Sequence, residues 1–231
     1  MFEKLAQMMQ DLQNCQKVFD PAQIGDPIAE QISWRPAKGG GSNIRTFKLV
    51  KVNLNRVEFK TTVGAVIFSL IFALPGLGLL ILLVPNVDWS AVDMGIAIGL
   101  FLGLTFASLG GYMFYLQMIP IVFDKQAGLF WKGRRPQAWT RTQEATAKYT
   151  PLELVHALQI VAEYVSGKNS FYSFELNLVL KNGNRINVVD HHKKNKLAEE
   201  AEVLAEFLGV PLWDATISRL PTNAFSVTGN Q

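Results

Sequence analysis

Two long stretches without a charged residue constrain this chain more than any other feature. Residues 62–84 and 95–117 contain no Asp, Glu, Lys or Arg. A helix needs roughly 20 mainly apolar residues to cross about 30 Å of hydrocarbon, and both stretches reach that length. Leu, Ile, Phe and Val dominate them, the residues that favour membrane insertion. The chain as a whole is 49% hydrophobic and 18% charged over 231 residues, averages that would also suit a soluble protein. The segregation of charge therefore decides, and it predicts a two-helix transmembrane hairpin over 62–117.

Charge placement orients that hairpin. Its connection carries Asp88 and Asp93 and no basic residue, whereas Lys48, Lys51, Arg56 and Lys60 precede the first span. Lys125, Lys132, Arg134, Arg135 and Arg141 follow the second. The excess of Lys and Arg on cytoplasmic flanks puts both termini in the cytoplasm. Trp89 then falls at the outer interface, with Tyr112 and Tyr115 at the inner one. The same basic collar is expected to lie against anionic lipid, each cation contributing about 1 kcal/mol.

Small residues recur within the spans. Gly95, Gly99, Gly103, Ala107 and Gly111 follow one another at every fourth position, and Ala65, Ser69 and Ala73 do so on the first span. Such faces let helix backbones approach closely in lipid. They are expected to pack the two helices on each other, or to dock a protein partner or a second copy. Pro75, with Gly76 and Gly78, is expected to kink the first span.

Outside the spans four regions emerge. Residues 1–20 read as an amphipathic helix through Phe2, Leu5, Met9 and Leu12, either packed on the soluble domain, which its few basic residues favour, or lying on the membrane surface. Residues 28–60 read as short strands, since Arg56 to Lys60 alternates and 44–52 is rich in β-branched and aromatic residues. Between Trp34 and Ile44, Lys38-Gly39-Gly40-Gly41-Ser42-Asn43 has the glycines of a phosphate cradle. It lacks the Lys-Ser/Thr pair after them, and a strand follows in place of a helix, so a flexible loop is expected. Residues 120–214 read as a soluble domain and 215–231 as a flexible tail.

In that domain, Tyr172, Phe174, Leu176, Leu178 and Leu180 alternate with Ser173, Glu175 and Asn177. Asn182-Gly183 then turns the chain into a further strand. Thr150-Pro151-Leu152-Glu153 offers a helical capping box, yet residues 154–165 also alternate, and a strand in the same meander is expected. A helix over 195–208 carries Leu197, Ala201, Leu204, Ala205 and Leu208 on one stripe, ended by Gly209 and Pro211. Antiparallel strands closed by one C-terminal amphipathic helix follow the plan of a pleckstrin-homology (PH)-like barrel. The fold class expected is thus an α+β membrane protein, a transmembrane hairpin plus a PH-like antiparallel sheet or barrel.

The chain resembles uncharacterised bacterial membrane proteins with a double span and a PH-like cytoplasmic domain. The resemblance rests on Ile121-Val122-Phe123-Asp124-Lys125, Ala157-Leu158-Gln159, Glu175-Leu176-Asn177-Leu178-Val179-Leu180 and Phe207-Leu208-Gly209-Val210-Pro211-Leu212-Trp213. The order of hairpin and domain is also similar in topology to a photosystem I assembly factor. These resemblances imply a fold and a location and supply no catalytic residues.

Chemistry-bearing residues are sparse. Cys15 is the only cysteine, which excludes an intrachain disulfide and a thiolate zinc cluster. His191 and His192 are adjacent at a strand end, where neighbours point to opposite faces, so a surface turn is expected and not a metal site. His156 is expected to be a packed or edge residue. A net charge of +3 is too small to argue for nucleic acid. The spans hold no ionisable residue, which speaks against an ion path. The expectation is a non-enzymatic, cofactor-free module that scaffolds a protein partner at the membrane. An immunity-type protein against a membrane-acting toxin, or a small channel or transporter subunit, are the alternatives.

Overall fold

The computed structural model describes residues 19–134, 145–167 and 170–216. Residues 1–18 of the expected helix, with Cys15, and Arg135, Arg141 and nearly all of the expected tail lie outside them. In chain order the elements are α1 (Pro27–Gln31), β1 (Phe47–Asn53), β2 (Arg56–Thr61), α2 (Val63–Leu83), α3 (Met94–Gln117), β3 (Ile121–Asp124) and β4 (Leu129–Lys132). There follow β5 (Tyr149–Pro151), β6 (Val155–Val165), β7 (Phe171–Leu180), β8 (Arg185–His191), α4 (Lys194–Leu208) and β9 (Leu212–Asp214). The chain divides into two compact units. Met1–Ile44, Ala127–Leu129 and Trp139–Gln231 form one; Arg45–Gln126 and Phe130–Ala138 form the other.

The second unit is built around α2 and α3, the two helices among the described residues that are long and apolar enough to cross a membrane. Thr62 caps α2 by accepting the Ala65 N–H at 3.3 Å, and Asp93 caps α3 by accepting that of Ile96 at 2.8 Å. Pro75 lies inside α2 without ending it. Only 17% and 11% of the residues in their apolar windows are buried, so most of this apolar surface faces outward. Below the helices the chain continues as a ladder. β2 pairs antiparallel with β1 and with β3, in a register that sets Phe59 opposite Ile121 and Arg56 opposite Asp124. Phe59, Phe123 and Phe130 are fully buried on one face, with ring centroids of Phe123 and Phe130 4.8 Å apart. The region 28–60, expected to be short strands with a loop at 38–43, begins instead with α1, and the loop precedes its first strand. Its strands are β1 and β2, which belong with the helices.

The first unit is an open sheet in the order β8-β7-β6-β9. β6, β7 and β8 are antiparallel, with Leu158 opposite Leu178 and Phe174 opposite His191. The Asn182-Gly183 turn forms as the sequence predicts, Gly183 taking φ +79°. α4 packs against β6, β7 and β9 and buries Leu197, Ala201 and Leu204. Gly209 ends it in the left-handed conformation, its N–H bonded to the Ala205 carbonyl at 2.8 Å. The chain then returns as β9, parallel to β6, which brings Trp213 beside Gln159. Among the described residues neither sheet closes into a barrel. α4 lies across a sheet face, where Leu158, Ile160, Leu176 and Leu178 are fully buried.

Candidate functional site

The opposite face of that sheet carries the unit's densest polar chemistry. Alternation puts Ala157, Gln159, Val161 and Glu163 of β6 beside Val179, Asn177, Glu175 and Ser173 of β7. Its apolar end packs with the N-terminal segment: Ala29, Ile32, Ala157, Val179 and Trp213 form one cluster, with Ile24, Ile28 and Trp34 against it. Asp26 fastens this segment at two points. Its Oδ1 accepts the Ile28 N–H at 2.8 Å, and its Oδ2 lies 2.7 Å from His156 Nε2. Burial by itself raises Asp26, but the hydrogen bonds from His156 and Ile28 and the imidazole charge outweigh it and hold the carboxyl below its ordinary range. His156, expected to be a packed or edge histidine, also sits edge-on to Trp213 at 5.7 Å.

The polar end is covered by residues 33–42. Glu175 accepts the Ala37 N–H at 2.6 Å on Oε1 and the Lys38 N–H at 2.9 Å on Oε2. Glu163 accepts those of Gly40 and Gly41 in the same two-pronged way, both at 2.9 Å. Ser42 N–H donates to Ser173 Oγ at 2.9 Å. The glycine run is therefore a strap, where the sequence led us to expect a flexible loop. Its amides do cradle anions, and those anions are the chain's own carboxylates. Gly40 is left-handed (φ +87°), and a Cβ on Gly41 would meet Ser173, so the run has glycine where it needs it. Such charge-assisted hydrogen bonds contribute about 1.5–3 kcal/mol each when desolvated.

Behind the strap, Asn177 donates to Glu175 Oε1 at 2.6 Å, and Gln159 Nε2 donates to the Ser33 carbonyl at 3.2 Å. Arg185 Nη1 reaches the Arg35 carbonyl at 2.7 Å and Gln159 Oε1 at 3.1 Å. Burial lowers the Arg185 pKa and Glu175 opposes that, leaving the guanidinium charged. Gln159, Ser173, Glu175 and Asn177 are all buried. The alternation that marks them as the polar side of β6 and β7 does not say that a segment more than a hundred residues away will cover them.

The two adjacent histidines diverge. His191 is buried on the α4 face, accepting the Lys193 N–H on Nδ1 at 3.0 Å, with Nε2 3.8 Å from Glu200 Oε2. The bond from Lys193 places the ring proton on Nε2. A surface turn was expected for both; the turn begins only after His191. His192 is depressed by burial and by the nearby Lys193 and His191. Among the described residues no three His, Cys, Asp or Glu side chains are grouped to hold a metal ion.

In the helical unit the small residues sort by position. A Cβ on Gly76 would overlap the Ala107 backbone nitrogen, and one on Gly103 would meet Leu80. Gly99 faces Leu83, and Ala65, Ser69 and Ala73 are buried on α2. Gly95 lies by its own cap, Asp93, and Gly111 faces open space. Each four-residue step overshoots a turn by about 40°, so a strict fourfold repeat drifts off one face. Gly110, three residues after Ala107, takes the place next to Ala73. At the same end, Gln117 ties the helices: Thr61 Oγ1 donates to its carbonyl oxygen and Ser69 Oγ to its Oε1, the latter at 2.9 Å.

The basic collar is partly spent on internal pairs. Arg56 Nε lies 2.6 Å from Glu58 and Nη1 3.7 Å from Asp124, with the guanidinium 5.3 Å over the Trp131 ring. Lys60 lies 3.4 Å from Glu58. Lys48 stands directly opposite Lys60, and Lys51 opposite Val57. Lys125 N–H donates to the Asn55 carbonyl at 2.8 Å, continuing the β2–β3 ladder past Arg56 and Asp124, and Lys132 ends β4. Arg134 stacks over Tyr115 at 5.7 Å. No family model matches the sequence, and no curated protein matches it.

Proposed function

We propose that this chain is a membrane-anchored, non-enzymatic module that scaffolds or assembles a protein partner at the inner face of a bacterial membrane. The observation that carries the reading is the outward surface of α2 and α3. Ile67, Ile71, Leu74, Ile81, Phe101 and Leu104 are all at least half exposed. Water would penalise so continuous an apolar belt, and hydrocarbon would not. The helices' mutual face is filled by their own small residues, which favours an anchor over a conduit. The sheet covered by a C-terminal helix is what this reading retains of a PH-like relationship. Such a module presents a rigid surface, and the strapped carboxylates of the first unit serve its rigidity more naturally than they serve turnover.

Membrane topology tests the reading directly. Cys15 is the native thiol, and Asp88→Cys in a Cys15→Ser background places one in the connection between the helices. A membrane-impermeant maleimide should label position 88 in intact cells and Cys15 only after permeabilisation. Labelling of Cys15 from outside, or release of the protein from membranes by alkaline carbonate, would refute it. Recovery of the protein from mild detergent as a lone monomer, with no cross-linked partner, would refute the scaffold role.

A further inference from the structure

We propose that Lys48 and Lys60, with Arg134, form a binding surface for the phosphate of anionic phospholipid at the end of the helical pair. The inference rests on the membrane reading above. Lys48 and Lys60 are directly opposed across the β1–β2 ladder, and both are exposed. Directly opposed residues of an antiparallel pair point to the same face, with Cβ atoms roughly 5 Å apart, and like charges there repel. The face neutralises them only in part, since the three cations Lys48, Lys60 and Arg56 stand against the two carboxylates Glu58 and Asp124. Glu58 reaches Lys60 at 3.4 Å but is shared with Arg56 at 2.6 Å, and Asp124 is also taken up by Arg56.

The pair sits where headgroups would be. Lys60 is three residues before the first residue of α2, and the hydrogen bond from Thr61 to the Gln117 carbonyl holds the start of α2 beside the end of α3. Tyr115, in the last turn of α3, holds the Arg134 guanidinium over its ring at this same end. Among the described residues of the connection at the far end, the charged ones are Asp88 and Asp93, both engaged with neighbouring backbone N–H groups. An anionic phosphate between the two ammonium groups turns their mutual repulsion into a shared attraction, which a zwitterionic headgroup does far less well.

The test uses the full chain in vesicles of phosphatidylcholine alone or with about a quarter phosphatidylglycerol. Native mass spectrometry of the released protein should show phosphatidylglycerol retained over phosphatidylcholine. That preference should fall about fivefold for each lysine removed in Lys48→Gln and Lys60→Gln, and persist in the double Lys→Arg variant. The thermal midpoint supplies a reading that a structural role would not move. Lys48→Gln should raise it in phosphatidylcholine, where repulsion is relieved, and lower it with phosphatidylglycerol present. Lys181→Gln, in the exposed turn after β7, should do neither. An inserted protein whose lipid preference ignores these changes overturns this inference alone. A protein that carbonate strips from the vesicles overturns it together with the membrane reading.

Discussion

Gly110 of α3 and Ala73 of α2 are in backbone contact: a Cβ added at Gly110 would overlap the amide nitrogen of Ala73. Gly111, one residue on, faces open space. Gly110→Leu should therefore lower the thermal midpoint in detergent by an amount equivalent to about 1–3 kcal/mol of overpacking. Gly111→Leu should stay within about 0.5 kcal/mol of the parent. Equal effects of the two would mean that the helices meet on a different face.

Glu175 holds the strap through two backbone amides and the Asn177 side chain. Glu175→Ala leaves those donors without their acceptor, at a cost of about 1–3 kcal/mol. Lys38 is exposed on the strap, so trypsin cleavage after it should accelerate in Glu175→Ala and, less, in Glu175→Gln, which retains one acceptor oxygen. Unchanged cleavage would show that the amides do not depend on the carboxylate.

The Asp26–His156 contact makes stability depend on acid. A carboxyl whose folded pKa is depressed binds protons more weakly when folded, so it stabilises the fold above its unfolded value, about 3.9, and that contribution fades as the pH falls through the folded value. The protection factor of the Ile28 amide, its exchange rate relative to the intrinsic rate at the same pH, should fall in that acid range below its pH 6 value in the parent. In Asp26→Asn this acid-dependent part should be missing. A parent and variant with parallel pH profiles would exclude the linkage.

Leu204 is fully buried under α4. Leu204→Ala should cost about 2–5 kcal/mol in denaturant unfolding, whereas Glu202→Ala on the exposed side should stay within about 0.5 kcal/mol. A small effect at Leu204 would mean that the helix is not docked on the sheet.

The sequence by itself determined what depends on period and on charge. Two charge-free runs of membrane length specify two helices long and apolar enough to cross a membrane, because an unbroken apolar run of that length has the composition and the reach of a span. Alternation in 154–165 and 171–180 specifies strands, and Asn182-Gly183 their turn, because Gly183 supplies the positive φ that the turn needs. The stripe of α4 was legible for the same reason.

Tertiary structure decided what depends on long-range register. Gly110 displaces Gly111 at the helix contact because true helical geometry drifts from a fourfold count. The glycine run at 39–41 became a strap because Glu163 and Glu175 lie more than 120 residues away and meet its amides only once β6 and β7 have paired. Lys48 came to face Lys60 because the β1–β2 turn sets that register, and composition shows a basic collar without showing which two charges are forced together. A local pattern fixes which face a residue occupies, and only folding determines what arrives to cover it.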